Sequence, residues 1–441
     1  MDLLPPSEPA SAETLSFWKN PVVWLREKNL SRAFWLFFAV AFFFDAGFSV
    51  YVFLFNLYLV DNHFNERAIG LIGGAGLLGS LIGTLPVGEI ARRIGLRPVL
   101  IFALVAGPLI FSLRAVWVWQ PAQLVLAFVG GFSMSAWGVC FIPAVANVTT
   151  ERNRPAAFSL LFSAGIGTGA LGGILCGYLP LWIKSAGFIM ESAEVKRLIL
   201  LASCGIGLLG MIPLLRLRFA KPIETEQPAE LKSEGRQWLR RLRVDPFLFR
   251  FLPLMALWSA IQASFPPFAN IYLSRQLHVP LVEIGVIFST AQVMQFCMGL
   301  LAPVVHRWLG LVNGIVAMQI FIAVALGAMD VAGHGSPAIA FYLAFAGTQW
   351  MSSAGLYSLL MNKSRDNDLS TASAMTMFCN AVAGAGATAG AGILFTRFGY
   401  PDVVAGIAVL AFVIAILFRV LLGYANRSAE PQVHITDVPL G

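Results

Sequence analysis

Charge is scarce in this 441-residue chain: only 12% of its residues are Asp, Glu, Lys or Arg, against 58% hydrophobic. That balance excludes an ordinary soluble domain, because no aqueous core could hide so much apolar surface, and it indicates a polytopic membrane protein. Cysteine is equally sparse. Cys140, Cys176, Cys204, Cys297 and Cys379 all fall in apolar runs with no C-x-x-C spacing, so neither a disulfide framework nor a zinc site is indicated, and they read as small core residues. The five histidines form no Ser-His-Asp constellation, and there is no phosphate-binding loop. An enzyme or a nucleotide-driven pump is therefore not expected, and neither is any cofactor. The N-terminus, MDLLPPSEPASAE, lacks the basic region and cleavage site of a signal peptide, so the first span is expected to direct its own insertion.

What the chain does have is long apolar runs. The first extends over about 33–60, and others follow at about 66–90, 98–118, 121–147, 155–183, 196–217, 247–274, 281–304, 310–331, 336–362, 370–396 and 401–424. Each approaches or exceeds the ~20 residues that a helix needs to cross a bilayer. Twelve transmembrane helices are predicted, an all-α membrane protein. One long polar stretch, 218–246, divides them six and six, giving an N-terminal bundle over 33–217 and a C-terminal bundle over 247–424. A tail over 1–32, whose Trp18, Trp24 and neighbouring basic residues suit the bilayer interface, precedes them, and a second tail covers 425–441.

The formal net charge of +7 suggests an acidic partner only until it is mapped onto the loops. With the N-terminus in the cytoplasm, 23 of the 30 Lys and Arg fall on the cytoplasmic side. That is the positive-inside bias, so lipid headgroups account for the charge and nucleic acid is not implied. Both termini, and Asn147 and Asn362, are then expected to be cytoplasmic.

The two halves repeat. Trp24-Leu-Arg recurs as Trp238-Leu-Arg, and Asn56-Leu-Tyr-Leu as Asn270-Ile-Tyr-Leu, both at an offset of 214. One inserted residue later the offset is 215: Ile69-Gly70 matches Ile284-Gly285, Arg92 matches Arg307, Gly95 matches Gly310 and Asn147 matches Asn362. An ordered series at nearly constant spacing marks an internal duplication, and six spans per unit make the repeats parallel.

Asp45 is the one acid deep in a span, in an aromatic-rich setting on the first run. A carboxylate there is costly in lipid, so it must face a partner helix or a water-filled path, either as a packing group or as a group that binds a proton or a cationic solute. Asn56, eleven residues on, shares its helix face. Asn56 has a repeat counterpart in Asn270 whereas Asp45 aligns with Ser259. A duplicated residue points to scaffold and a unique charge to cargo or coupling. In the seventh run Trp258 and Gln262 lie one turn apart, and Pro266-Pro267 removes backbone donors, which predicts a kink or a gate hinge. Arg114, near the end of the third run, is expected to snorkel to the interface.

Two parallel six-helix halves joined by a cytoplasmic linker resemble the major facilitator superfamily, and the turn after the second run carries its signature. The family pattern Gly-x-Leu-Ala-Asp-Arg-x-Gly-x-Arg is met by Gly88, Ile90, Ala91, Arg93, Gly95 and Arg97, with Arg92 where the family has its acid. The resemblance implies that the cytoplasmic latch usually made by that acid is absent, rebuilt or supplied by Glu89. The drug–proton antiporters of the family carry an arginine in helix 4, which residues 126–137 lack, and a Gly-x-x-x-Gly-Pro in helix 5, where this chain has Gly165, Gly169 and Ala170. The resemblance further implies a cavity lined by helices 1, 4, 7 and 10. Its candidate lining residues are Asn56, Trp137, Trp258, Gln262, Asn270, Trp350 and Tyr357, with Gln292 and Gln295 from helix 8.

The function this implies is alternating-access transport of a small amphipathic or apolar organic solute, exported in exchange for protons through Asp45. The expected setting is a bacterial inner membrane, with the chain acting as a monomer whose partners are its solute, protons and lipid. Two alternatives stand beside it: a uniporter or importer of a polar solute or metal cation, and a non-transporting scaffold or sensor.

Overall fold

A computed structural model describes residues 30–187, 190–219, 246–333, 335–363 and 369–423, and among them every regular element is helical. The predicted tails and linker lie outside the described residues except at their edges. The first half comprises α1 (Arg32–Asp61), α2 (Glu66–Ile94), α3 (Leu96–Val116), α4 (Gln120–Val148), α5 (Arg154–Ser185) and α6 (Ser192–Leu209, continued by Met211–Arg216). The second comprises α7 (Pro246–Ser264 with the turns that follow it), α8 (Leu281–Leu309), α9 (Leu311–Ala332), α10 (Ser336–Thr348 and Met351–Lys363), α11 (Leu369–Phe398) and α12 (Tyr400–Leu422). Eleven of these twelve are long and apolar enough to cross a membrane; α10 is broken at Gln349–Trp350.

Packing repeats as the sequence does. In the first half α1 lies against α5 and α6, α2 against α4, and α3 against α4; in the second, α7 lies against α11 and α12, α8 against α10, and α9 against α10 and α12. The halves meet through α2 on α11 and α5 on α8. Both seams depend on glycine, because a Cβ on Gly70 would strike the Gly392 backbone at 2.9 Å and one on Gly173 would strike the Gly285 carbonyl at the same distance. Close backbone approach is how helices gain contact in lipid, where there is no hydrophobic drive between them.

Turns repeat too. Gly95 (φ +90°) joins α2 to α3 and its counterpart Gly310 (φ +79°) joins α8 to α9, with extended ψ values that only glycine tolerates cheaply. His63 and His278, also at an offset of 215, both take positive φ in the loops after α1 and α7. The inserted residue is visible. α7 ends in a 3₁₀ turn (Pro266–Phe268), a short α turn (Ala269–Ile271) and a π turn (Tyr272–Gln276), where α1 runs straight to Asp61. A π turn takes up one extra residue without breaking the helix, and it begins at Tyr272-Leu273, the last matches at 214, and ends just before His278, the first at 215.

Two sequence expectations need correction. Arg114 does not snorkel: it is 9% exposed, its guanidinium lies 4.3 Å from the centre of the Phe55 ring, and its Nε donates to Gln123 Oε1. A partner inside the bundle removes the need to reach water. Of the cysteines, Cys140, Cys176 and Cys204 are buried, but Cys297 is exposed and Cys379 is half-buried.

Candidate functional site

A cavity of about 740 Å³ lies between the halves, chiefly against the second. From the sequence-predicted set it gathers Asn56, Trp258, Gln262, Asn270, Gln292, Gln295, Trp350 and Tyr357, together with both hinge prolines, Pro266 and Pro267. No charged side chain lines it among the described residues. Trp137 is elsewhere: on α4 it stacks on Phe44 with ring centroids 4.1 Å apart and packs on Phe37, closing the aromatic core of the first half.

The broken helix α10 explains two of the glutamines. A break in a span leaves carbonyls without helical partners, tolerable only where the backbone meets protein or a cavity. Gln262 of α7 donates its Nε2 to the Gln349 carbonyl, and Gln295 of α8 donates to the Ala346 carbonyl at 2.9 Å. The break is thus held from both sides, and it turns Gln349, Trp350 and Ser353 toward the cavity.

The asparagines meet at the kink of α7. Pro266 and Pro267 lack N–H groups, which frees the Gln262 and Ala263 carbonyls four residues earlier; Thr388 Oγ1 donates to the latter at 3.0 Å, and the chain tightens to 3₁₀ around the Pro267 carbonyl. Asn56 of α1 donates its Nδ2 to that carbonyl at 2.6 Å, while Asn270 of α7 donates to the Phe53 carbonyl of α1 at 2.7 Å. Positions 53 and 56 map onto 267 and 270 by the same offset of 214. The pair is therefore a reciprocal, pseudo-two-fold clasp across the cavity's end.

Beyond the clasp, toward Glu66, further contacts join the halves. Arg275 Nη1 donates to Glu66 Oε1 at 3.0 Å, Tyr400 Oη donates to the same oxygen at 3.4 Å, and the Arg67 backbone N–H donates to Thr396 Oγ1 at 2.9 Å. On the α5–α8 seam Ser289 Oγ donates to the Ala170 carbonyl. These contacts close the Glu66 end of the cavity.

At the opposite end, Glu89 pairs, among the described residues, only within its own helix, with Arg92 at 2.8 Å and Arg93 at 2.6 Å. Those guanidiniums are about 70% exposed, so the pairs contribute little. Arg97 donates its Nη2 to the Leu215 carbonyl, capping the end of α6. Gly88 faces only Val139, and Gly95 makes the turn.

Asp45 is half-buried and lies outside the cavity's lining. Its backbone carbonyl accepts from Ser49 Oγ, but among the described residues no hydrogen bond or ion pair reaches its carboxylate. That carboxylate faces Gly165 of α5, where a Cβ would come within 3.3 Å of Oδ2. Val52, seven residues on, and Asn56, eleven on, line the cavity from the same face of α1. Asp45 is thus about 10 Å farther along α1 than Val52, toward the Arg92 end.

The sequence reading did not single out Tyr342, Phe345, Gln349 or Asn380, which also line the cavity. The amide at Gln349 within an apolar run was the available signal, since a polar side chain at that depth needs a reason.

No curated protein sequence matches this chain. Its fold, however, is similar to solved transporter structures. A mutant of the nucleoside transporter NupG superposes with a TM-score of 0.72 at 15% identity, over 88% of this chain and 100% of that one. A bacterial homologue of the human lysosomal transporter Spinster, inward-facing and unoccupied, gives 0.71 at 12% identity over 90% and 98%. The xylose transporter XylE from E. coli, in an inward-open conformation, gives 0.66 at 12% identity over 87% and 94%. The profile of the Major Facilitator Superfamily matches residues 36–388. With its duplicated six-helix halves, its signature turn at Gly88–Arg97 and a cavity between the halves, the chain belongs to the Major Facilitator Superfamily of membrane transporters.

Proposed function

We propose that this protein is a secondary active transporter that carries a small amphipathic organic solute by alternating access, and that it exports that solute in exchange for protons taken up at Asp45. The observation that carries the reading is the uncharged, amide- and aromatic-lined cavity of about 740 Å³ between halves clasped at one end. Its volume suits a small organic molecule, and folds similar to this one belong to carriers named for nucleosides and xylose.

The lysine and arginine bias supports placing both termini in the cytoplasm, which puts Glu66 outside and Arg92 inside, and the short loops fit a bacterial inner membrane. The clasped state is then closed to the outside, and Asp45 lies on the inward side of the cavity. Among the described residues the carboxylate has no partner to neutralise it, and it sits within a span, so proton binding is the least costly way to keep it there when the halves rock. The protein works as a monomer, since each half supplies one wall of a single cavity.

The test is solute flux in proteoliposomes under an imposed pH gradient. Wild type is expected to accumulate solute against its gradient, whereas Asp45→Asn is expected to exchange solute at equilibrium without accumulating it. Undiminished accumulation by the variant would remove Asp45 from coupling. The amide-rich lining favours, as a second reading, a proton-independent carrier of a polar solute, for which flux would ignore the pH gradient in both proteins.

A further inference from the structure

Two polar atoms on the cavity wall are buried and without a partner among the described residues, and their identities are fixed. Trp258 is 1% exposed, and its indole Nε1, which can only donate, is unpaired. Asn270 is 7% exposed, and its Oδ1 is unpaired. The amide cannot be reversed, because its Nδ2 already donates to the Phe53 carbonyl. Asn380, half-buried on the same wall, also has its Oδ1 buried and unpaired among the described residues. Buried polar atoms are nearly always paired in folded proteins, so a donor and two acceptors left open around one cavity point to a ligand. Phe288, Phe345 and Trp350 supply apolar wall between them.

Resting on the transporter reading above, we propose that the cargo is electrically neutral and carries both a hydrogen-bond acceptor, for Trp258 Nε1, and a hydroxyl or amide N–H donor, for Asn270 Oδ1 and Asn380 Oδ1, on an apolar or aromatic body. A charged cargo entering this cavity loses its hydration and meets no countercharge on the described walls. A purely apolar cargo leaves three buried polar atoms unpaired, a penalty that sites built for hydrogen bonding turn into discrimination. Asn270 has a double role: its Nδ2 clasps α1 while its Oδ1 faces the cargo, so occupancy and closure of the Glu66 end act on one side chain.

The experiment uses the full chain purified in detergent, with its unfolding temperature followed against three neutral probes, phenyl β-glucoside, uridine and N-acetylphenylalaninamide, and two ions, tetraphenylphosphonium and phenylphosphonate. A ligand of the native state raises the transition by mass action. At least one neutral probe is expected to stabilise wild type, with affinity about tenfold weaker in Trp258→Phe, which keeps an aromatic ring but lacks the N–H. Asn380→Leu is the second variant, serving if Trp258→Phe does not fold, and is expected to lose affinity for probes bearing a donor. Stabilisation by the ions alone, by no neutral probe, or by a neutral probe with unchanged affinity in the variants that fold, overturns the proposal. Proteoliposome flux separates the two readings. Flux of tetraphenylphosphonium without binding of neutral probes sinks the cargo class and leaves the transporter. Neutral-probe binding with the expected variant pattern but no flux sinks the transporter and leaves the site.

Discussion

At the scale of single residues, the bundle interior decides whether a polar side chain is structural or functional by what it leaves unpaired. Arg114 is settled: Gln123, fully buried, accepts from its Nε at 3.2 Å and returns its own Nε2 to the Arg114 and Trp117 carbonyls at 2.6 and 2.9 Å. Gln123 thus holds the cation and ties off the end of α3. Replacing Gln123 with Leu, similar in bulk but unable to bond, strands those groups, at about 1–3 kcal/mol for a buried unsatisfied polar group. The expected result is a lower unfolding temperature in detergent with unchanged solute affinity, since Gln123 is not on the cavity wall. An equal loss of affinity would mean that the α3 end communicates with the cavity. Asp45 contrasts with Arg114, because among the described residues no hydrogen bond or ion pair reaches its carboxylate. Sequence alone marks Asp45 as an isolated acid within a long apolar run. It misplaced Arg114, because pairing with Gln123 depends on the turn between α3 and α4, which fixes a contact between residues nine apart that no helical periodicity anticipates.

At the scale of elements, α1 and α7 are the same helix used twice, once straight and once kinked. At the kink the Pro267 carbonyl accepts from Asn56, while the straight copy offers the equivalent Phe53 carbonyl to Asn270 even though it lies within a continuous helix. Each bond is worth about 0.5–1.5 kcal/mol net, and more in a site that excludes water. Asn56→Ala and Asn270→Ala are therefore expected to move the equilibrium toward opening at the Glu66 end by similar factors, roughly 3- to 10-fold each. Distances between spin labels at Lys184→Cys on α5 and Arg397→Cys on α11, with Cys297 and Cys379 replaced by serine, would report the opening. Unequal shifts would show that the pseudo-symmetry is geometric only. The duplicated asparagines were legible as scaffold from their offset, and the prolines as a kink. The reciprocity was not, because the sequence does not say which carbonyl each amide meets. Nor was the break in α10, whose support comes from Gln262 and Gln295 on two other helices.

At the scale of the whole molecule, alternating access requires two seams that can close without a gap and part at the cost of few hydrogen bonds, here Arg67 N–H to Thr396 Oγ1 and Ser289 Oγ to the Ala170 carbonyl. The α2–α11 and α5–α8 seams meet this with backbone laid on backbone, and they are copies of each other: Gly70 rests on Thr388 and Gly392, and Gly285, its counterpart at an offset of 215, rests on Gly173 and Gly177. Thr388 and Gly392 are themselves 215 residues beyond Gly173 and Gly177. The seams therefore share one geometry and one mechanical consequence. A side chain at either glycine has nowhere to go while the Glu66 end is closed, since the obstacle is the facing main chain rather than a movable rotamer. When that end opens, the same side chain meets lipid or water at little cost. Overpacking of this kind costs about 1–3 kcal/mol in a rigid interior, and here it bears on one of two states, so Gly70→Val and Gly285→Val are each expected to favour the outward-open state by roughly 5- to 150-fold. Solute exchange in proteoliposomes should fall steeply in both, while the label distance between α5 and α11 lengthens and cooperative unfolding persists. Collapse of the fold in both variants would instead mean that the seams hold the halves together at all times. In that case the two halves would move by bending within helices, with the hinge at Pro266–Pro267 and the break at Gln349–Trp350 as the places where they could do so.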